Sequence, residues 1–458
     1  MRTIFLKYNR SVLAKLALVP LICLSFALSG CGGKEVEIAW HGPVADLGEF
    51  SQDLNAYVKA ETAGARLASE ASQEAAASRY VTQFYKPWTL KKSEFSKKSM
   101  ASRAKSFSGK SSWTASGEKI DSGLWERVIE NANVKAFPSL GWKGILIENA
   151  PLRALPTSTP FYNNPNKAGE GYPFDYLQDA LLWVGMPVYV SHISRDEEWL
   201  FCETAMVSGW VPSRAVSPAS EGFIAFWRNQ PLGAVVKDKL PTEAGRGNVG
   251  FANAKDLRVG TLLPLQNGNL LLPVAQGIAT GSQPVAVPPG AVERFPLPLT
   301  AANVAKLGNE MMGEPYGWGG VDYLRDCSSM MRDLFGPFGL WLPRNSSRQI
   351  QAGMVTDLSG LAPADRERML KDMGQPFVTL VGMPGHIMLY VGQYDGRAAV
   401  FHDIWGTRTI LSEGGQGRLV IGKVVVSSLE PGVEHREVDK TGTLLNRVNK
   451  MTVIPRPE

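Results

Sequence analysis

Asp326-Cys327-Ser328-Ser329-Met330-Met331-Arg332-Asp333-Leu334-Phe335 is the stretch on which the fold turns. Apolar side chains fall at 327, 330, 331, 334 and 335, one face of an α-helix. Asp326 has the side chain of an N-cap residue. Cys327 then lies in the first turn, where free N–H groups and the positive end of the dipole lower a thiol pKa. Just before it, Pro315-Tyr316-Gly317-Trp318-Gly319-Gly320 supplies glycines that allow close approach of a substrate backbone. A helix that merely buries its cysteine has the same pattern, so the stretch needs support from elsewhere.

Two histidines give that support. His386 begins Gly385-His386-Ile387-Met388-Leu389-Tyr390-Val391, and His402 lies in Ala398-Ala399-Val400-Phe401-His402-Asp403-Ile404. Both read as strands, joined by a hairpin turn at Tyr394-Asp395-Gly396. A two-residue Asp-Gly loop puts the histidines on opposite faces. A three-residue loop puts them on one face as diagonal neighbours, about 7–8 Å apart. A catalytic pair therefore predicts the odd-length loop. In that arrangement the Cys327 thiolate attacks a carbonyl, His386 carries the proton to the leaving amine, and His402 orients His386.

Zinc sites usually show close ligand spacings such as C-x-x-C, and the chain has none, so no metal or cofactor is expected. Cys202, in the apolar run Trp199-Leu200-Phe201-Cys202, reads as a small buried hydrophobe. His41, His192 and His435 receive no role.

The N-terminus reads as an address. Arg2, Lys7, Arg10 and Lys15 precede an apolar run from Leu16 to Leu28, and Leu28-Ser29-Gly30-Cys31 closes it. This is the layout of a secretory signal, too short and too interrupted by Pro20 for a comfortable membrane span. Those four cations account for most of the formal charge of +5, so the remainder is nearly neutral and nucleic acid is not an expected partner.

The 458 residues suffice for about three to four domains. Residues 31–133 are expected to be a helical segment, with one helix over 52–83, a solvated stretch over 91–112 and another helix over Ser122–Asn131. Short strand-like runs over 134–219 predict a small all-β barrel. A second barrel is expected over 220–290, with Phe223-Ile224-Ala225-Phe226-Trp227 as a strand and Pro284–Pro298 as a linker. Residues 291–458 read as an α+β domain.

These motifs resemble the NlpC family of papain-like cell-wall cysteine peptidases. The resemblance rests on Tyr316-Gly317-Trp318-Gly319-Gly320 with Asp326-Cys327-Ser328, on Gly385-His386-Ile387, and on His402. Leu342-Pro343-Arg344-Asn345-Ser346-Ser347-Arg348-Gln349 adds to it, although Asn345 stands where the family often has Asp, and Ser329 where Gly is common. Leu155-Pro156-Thr157, Phe161-Tyr162-Asn163 and Pro173-Phe174-Asp175-Tyr176-Leu177 resemble the bacterial SH3-like barrels that precede the peptidase in one subgroup.

The resemblance implies a multidomain chain: a helical N-terminal segment, two small SH3-like barrels and an α+β papain-like peptidase domain. It implies cleavage of peptidoglycan stem peptides, in murein or its fragments, between the γ-carboxyl of D-glutamate and diaminopimelate or lysine, with a free N-terminal L-alanine favoured. By the same resemblance Tyr316 stabilises the oxyanion, Asp326 meets the substrate amine and Ser328 contacts the stem. Tyr172 and Asp175 have the chemistry to wall that amine, and both also read as ordinary loop residues. The lipoprotein-like box implies a lipidated Cys31 that anchors the exported chain at the periplasmic face of a membrane, the outer one in a two-membrane organism. Two alternatives stay open: a peptidoglycan-binding lipoprotein without activity, and an amidase or acyltransferase on the same scaffold.

Overall fold

Helix Cys327–Phe335 forms where the apolar spacing predicts it. The Asp326 carboxylate accepts from the N–H groups of Ser328 and Ser329, and the Ser329 hydroxyl accepts from the Asp326 N–H. Ser329 thus completes a reciprocal cap. Met330, Met331, Leu334 and Phe335 are fully buried. The computed structural model describes residues 39–241, 256–412 and 414–455; the expected signal segment and Cys31 lie outside the described residues.

Among these residues the helix packs on a seven-stranded sheet. Its order is Ala39–Trp40, Gln416–Ser427, Arg397–Ile410, His386–Tyr394, Thr379–Met383, Lys450–Val453, Met354–Asp357. Strand alternation divides the core in two. Ile387, Leu389 and Phe401 face helix Cys327–Phe335, while Met388, Tyr390 and Val400 face Leu370 of helix Pro363–Met373.

Where the first barrel was expected, a seven-stranded antiparallel sheet forms from strands Trp142–Leu146, Ala150–Arg153, Gln178–Leu182, Pro187–Ile193, Trp199–Glu203, Ser208–Pro212 and Val216–Pro218. Cys202 sits in its apolar core beside Leu152, Val190 and Val211. A five-stranded antiparallel sheet follows. Here Phe223–Trp227 is not a strand but part of helix Glu221–Arg228. The Ser220 hydroxyl caps it, and Ile224 and Trp227, three apart, are its buried residues. A short apolar run does not by itself distinguish strand from helix. The Pro-rich stretch is also more than a linker, because its strand Val292–Arg294 pairs with Leu232–Val235.

The N-terminal segment departs from the sequence expectation in two places. Residues 52–67 make two short 3-10 turns, Leu54–Tyr57 and Ala60–Thr62, and the helix proper is Glu70–Phe84. The Leu67 N–H pairs with the Leu299 carbonyl, a tertiary bond in place of a helical one. The Ser- and Lys-rich stretch contains helix Lys97–Lys105, which buries Met100 and Ala104. Helix Ser122–Asn131 has the expected bounds.

Two contacts tie the β-rich units to the C-terminal α+β domain. The Gly319 and Gly320 backbone lies against strand Gln178–Leu182. A Cβ on either would fall 2.1 Å from the Gln178 carbonyl oxygen or 2.5 Å from the Leu181 Cβ. These glycines therefore admit the first barrel rather than a substrate backbone. Beyond the second sheet, Asp238 and Arg258 join Glu314, Arg325 and Asp333 in a buried ionic cluster.

Candidate active site

The histidine pair comes together by a route the sequence did not predict. Tyr394 pairs with Arg397, so the hairpin loop is the even Asp395-Gly396. The register then shifts between Tyr390 and Gly392, leaving Val391 as an extra residue in its strand. Beyond this bulge Leu389 faces Phe401, which restores the parity that places both histidines on one face. A bulge does what the odd loop was expected to do.

His386 Nε2 lies 2.9 Å from His402 Nδ1. His402 Nε2 lies 2.9 Å from the Ser427 hydroxyl, which donates to the Ser428 carbonyl at 2.7 Å. Cys327 sits beside the start of the His386 strand, near the backbone of Ile387. His386 Nδ1 is the ring nitrogen that His402 does not engage.

Burial governs the charges. It pushes the His386 imidazole down to about 4, with Arg447 adding to the effect, and holds His402 well below the usual histidine range. It also pushes the Cys327 thiol up, with the Asp326 charge reinforcing it. The helix N-terminus was expected to favour a thiolate; burial acts in the opposite direction here. Tyr316 is raised well above its ordinary value by burial and by the neighbouring Cys327 and Asp326, so its phenol keeps its proton as a donor.

Asp326 is held on all sides. Besides the helix N–H groups it accepts from Ser328 Oγ at 2.9 Å, Gly319 N at 3.0 Å and Arg344 Nη2 at 2.6 Å. Burial works against its ionisation, yet Arg344 keeps it well below the usual carboxylate range. Its lone pairs are engaged within the chain, so the free acceptor expected for a substrate amine is not on view. Arg344 also donates to Ser328 Oγ at 2.8 Å, and Gln349 donates to the Ser328 carbonyl at 2.7 Å. The Pro343-Arg344 to Gln349 motif thus braces the first turn of helix Cys327–Phe335, and Asn345, the departure from the motif, makes no side-chain cap.

The first barrel reaches the aromatic side chains near Cys327 through a residue that sequence reasoning passed over. Phe174 packs 5.4 Å from Trp318, 5.6 Å from Trp405 and 6.2 Å from Tyr316, ring centre to ring centre. Asp175 is buried and paired to Arg153 at 2.9 Å, a structural role. Tyr172 is exposed and donates to Asp322 at 2.8 Å. Ser427 and Trp405 also went unnoticed, since neither lies in a motif. Of the other histidines, His192 is buried against Ser139 and the Ala132 carbonyl, and His435 meets the Pro43 carbonyl. No cluster of three or more His, Cys, Asp or Glu suited to a metal occurs among the described residues.

Comparison with known proteins follows the same divisions. Residues 313–403 match the NlpC/P60 family, residues 160–212 an SH3 domain of the SH3b1 type, and residues 20–137 the N-terminal NLPC_P60 stabilising domain. An NlpC/P60 endopeptidase from Photobacterium damselae subsp. piscicida is similar over 90% of this chain and 98% of its own, with 26% identity and a TM-score of 0.81. An NlpC/P60 family protein from Bacillus cereus ATCC 10987 aligns over 68% of this chain and all of its own, at 16% identity and a TM-score of 0.43. A γ-D-glutamyl-L-lysine dipeptidyl-peptidase of Bacillus subtilis (strain 168) is 31% identical over 94 residues. That stretch is 20% of this chain and spans about 30% of the relative's length.

Proposed function

From the premise that this chain carries an NlpC/P60 peptidase domain behind an SH3b1-type domain, we propose that it is a cysteine endopeptidase of peptidoglycan stem peptides. The bond cut joins the γ-carboxyl of D-glutamate to a diamino acid. The observation that carries this reading is the His386–His402 contact at 2.9 Å, next to a cysteine at a capped helix start. The name of the Bacillus subtilis relative supports the choice of bond.

In this reading His386 Nδ1 takes the Cys327 proton as sulfur attacks the γ-carbonyl. A separate, pre-formed thiolate is not required. The Tyr316 phenol donates to the developing oxyanion. His386 then protonates the leaving amine, and water attacks the thioester with His386 again as base. Asp326 and Ser328 stay at the cleft floor; direct contact with the stem peptide requires one of their bonds to Arg344 to be exchanged. Phe174 closes the cleft from the barrel side, which limits the length of peptide ahead of D-glutamate and favours a free L-alanine amine. Lipidation of Cys31 would hold the enzyme at the envelope. It is tested by incorporation of a labelled fatty acid, which Cys31→Ser abolishes.

The test of function is a digest of L-alanyl-γ-D-glutamyl-diaminopimelate, its N-acetylated form and intact sacculi, with products read by mass spectrometry. Release of diaminopimelate from the free-amine tripeptide, absent with Cys327→Ala, is the expected result. Equal cleavage of the acetylated form removes the free-amine preference. No cleavage of any, with sacculi still bound, returns the chain to a binding role.

A further inference from the structure

We propose that Ser427 is a positioning residue that sets the tautomers of both histidines, and so decides which nitrogen of His386 is free to act as base. The inference rests on the proposed roles of Cys327 and His386. Ser427 is fully buried on strand Gln416–Ser427, next to the strand that carries His402. Its single hydroxyl proton goes to the Ser428 carbonyl at 2.7 Å. Towards His402 Nε2, 2.9 Å away, the oxygen is left as an acceptor, so Nε2 carries the proton. His402 Nδ1 is then a lone pair and accepts from His386 Nε2 at 2.9 Å. His386 Nδ1 is left unprotonated, which is the nitrogen the proposed mechanism needs as base.

The reverse assignment fails at the chemistry. If Ser427 donated to His402, His402 would donate to His386 Nε2. The His386 proton would then sit on Nδ1, and the imidazole could not take the thiol proton. One hydroxyl thus separates a competent base from an incompetent one.

Ser427 is itself held from both sides by the N-terminal arm. Gln52 pairs through its amide with both the N–H and the carbonyl of Val426. Asp46 accepts from the Ser428 N–H at 2.8 Å and its hydroxyl at 2.6 Å. A residue more than 370 positions earlier in the chain therefore fixes each neighbour of the relay serine.

The experiment uses the full mature chain. In wild type labelled with nitrogen-15 histidine, the ring couplings read the tautomers directly. Protons on Nε2 of both His386 and His402 are expected; a proton on His402 Nδ1 overturns the proposal, whether or not any substrate is cleaved. In parallel, Ser427→Ala is assayed on the tripeptide. A fall in kcat of about 10- to 1000-fold with KM within about threefold is expected, with slower carboxymethylation of Cys327 and recovery of most of the rate in Ser427→Thr. A folded Ser427→Ala with wild-type kcat and alkylation rate also overturns it. Should that variant fail to fold, the wild-type spectrum still decides.

Discussion

His386 Nε2 and His402 Nδ1 lie 2.9 Å apart because Val391 is an extra residue in the strand between them and the hairpin turn. A regular ladder with the same Asp395-Gly396 loop would send the two rings to opposite faces of the sheet. The contact is therefore a consequence of register, and register is what makes the pair useful.

His402→Phe keeps an aromatic of similar size and removes the acceptor for His386 Nε2. We expect kcat to fall by about 10²–10⁴ with little change in KM. His402→Gln, which retains an acceptor, should fall less. Steady-state kinetics on the tripeptide separates the two; equal losses would deny His402 an orienting role.

Both histidines are held neutral by burial, and the pH dependence follows from that. The acid limb of kcat/KM is expected near about 4, where burial has placed His386, and not near 6.5. Stability should show the complementary effect. The unfolded chain takes up protons on these histidines below about 6.5 while the folded chain does not, so stability is complete above that pH and declines as pH falls towards about 4. The slope is on the order of 1 kcal/mol per pH unit for each histidine. Urea unfolding at stepped pH measures it, and His402→Gln should flatten the decline.

Phe174 touches all three of Tyr316, Trp318 and Trp405 from the first barrel, and Tyr176 touches Trp318. Phe174→Ala is expected to raise KM for the free-amine tripeptide about tenfold and to narrow its advantage over the N-acetylated form. Unchanged selectivity would assign the wall elsewhere.

Arg325 is buried between Asp238, Glu314 and Asp333, directly before the cap of helix Cys327–Phe335. Arg325→Met leaves three carboxylates with less compensation and should cost roughly 3–5 kcal/mol. Chemical denaturation reads the loss. A cost below about 1 kcal/mol would mean that the second sheet is not clamped through this cluster.

Much of this was legible in the sequence, and the omissions have physical causes. The spacing 327, 330, 331, 334, 335 and the cap Asp326 defined helix Cys327–Phe335, because helix faces and caps are local. A hairpin turn at Tyr394-Asp395-Gly396 was legible for the same reason, but its even loop was not, and the bulge at Val391 was missed although Gly392 beside it, at φ 136°, is the residue type that marks one inside a strand. Phe223–Trp227 read as a strand because its apolar run suits either element, and the Ser220 cap decided it. The thiol was expected to ionise because the helix dipole is visible in the sequence and the desolvation that opposes it is not. Asp46, Gln52 and Ser427 carry no motif, and only the folded chain brings them to one strand end.

The central claim is that Cys327 attacks the γ-D-glutamyl carbonyl with His386 as its base. Acid quenching during turnover of L-alanyl-γ-D-glutamyl-diaminopimelate, followed by mass spectrometry of the protein and its peptides, tests it most directly. The account predicts an L-alanyl-γ-D-glutamyl thioester on the peptide containing Cys327, with free diaminopimelate released in step. The thioester and the diaminopimelate should both be absent in Cys327→Ala. Continued release of diaminopimelate by Cys327→Ala, or an acyl group found on another residue, would contradict it.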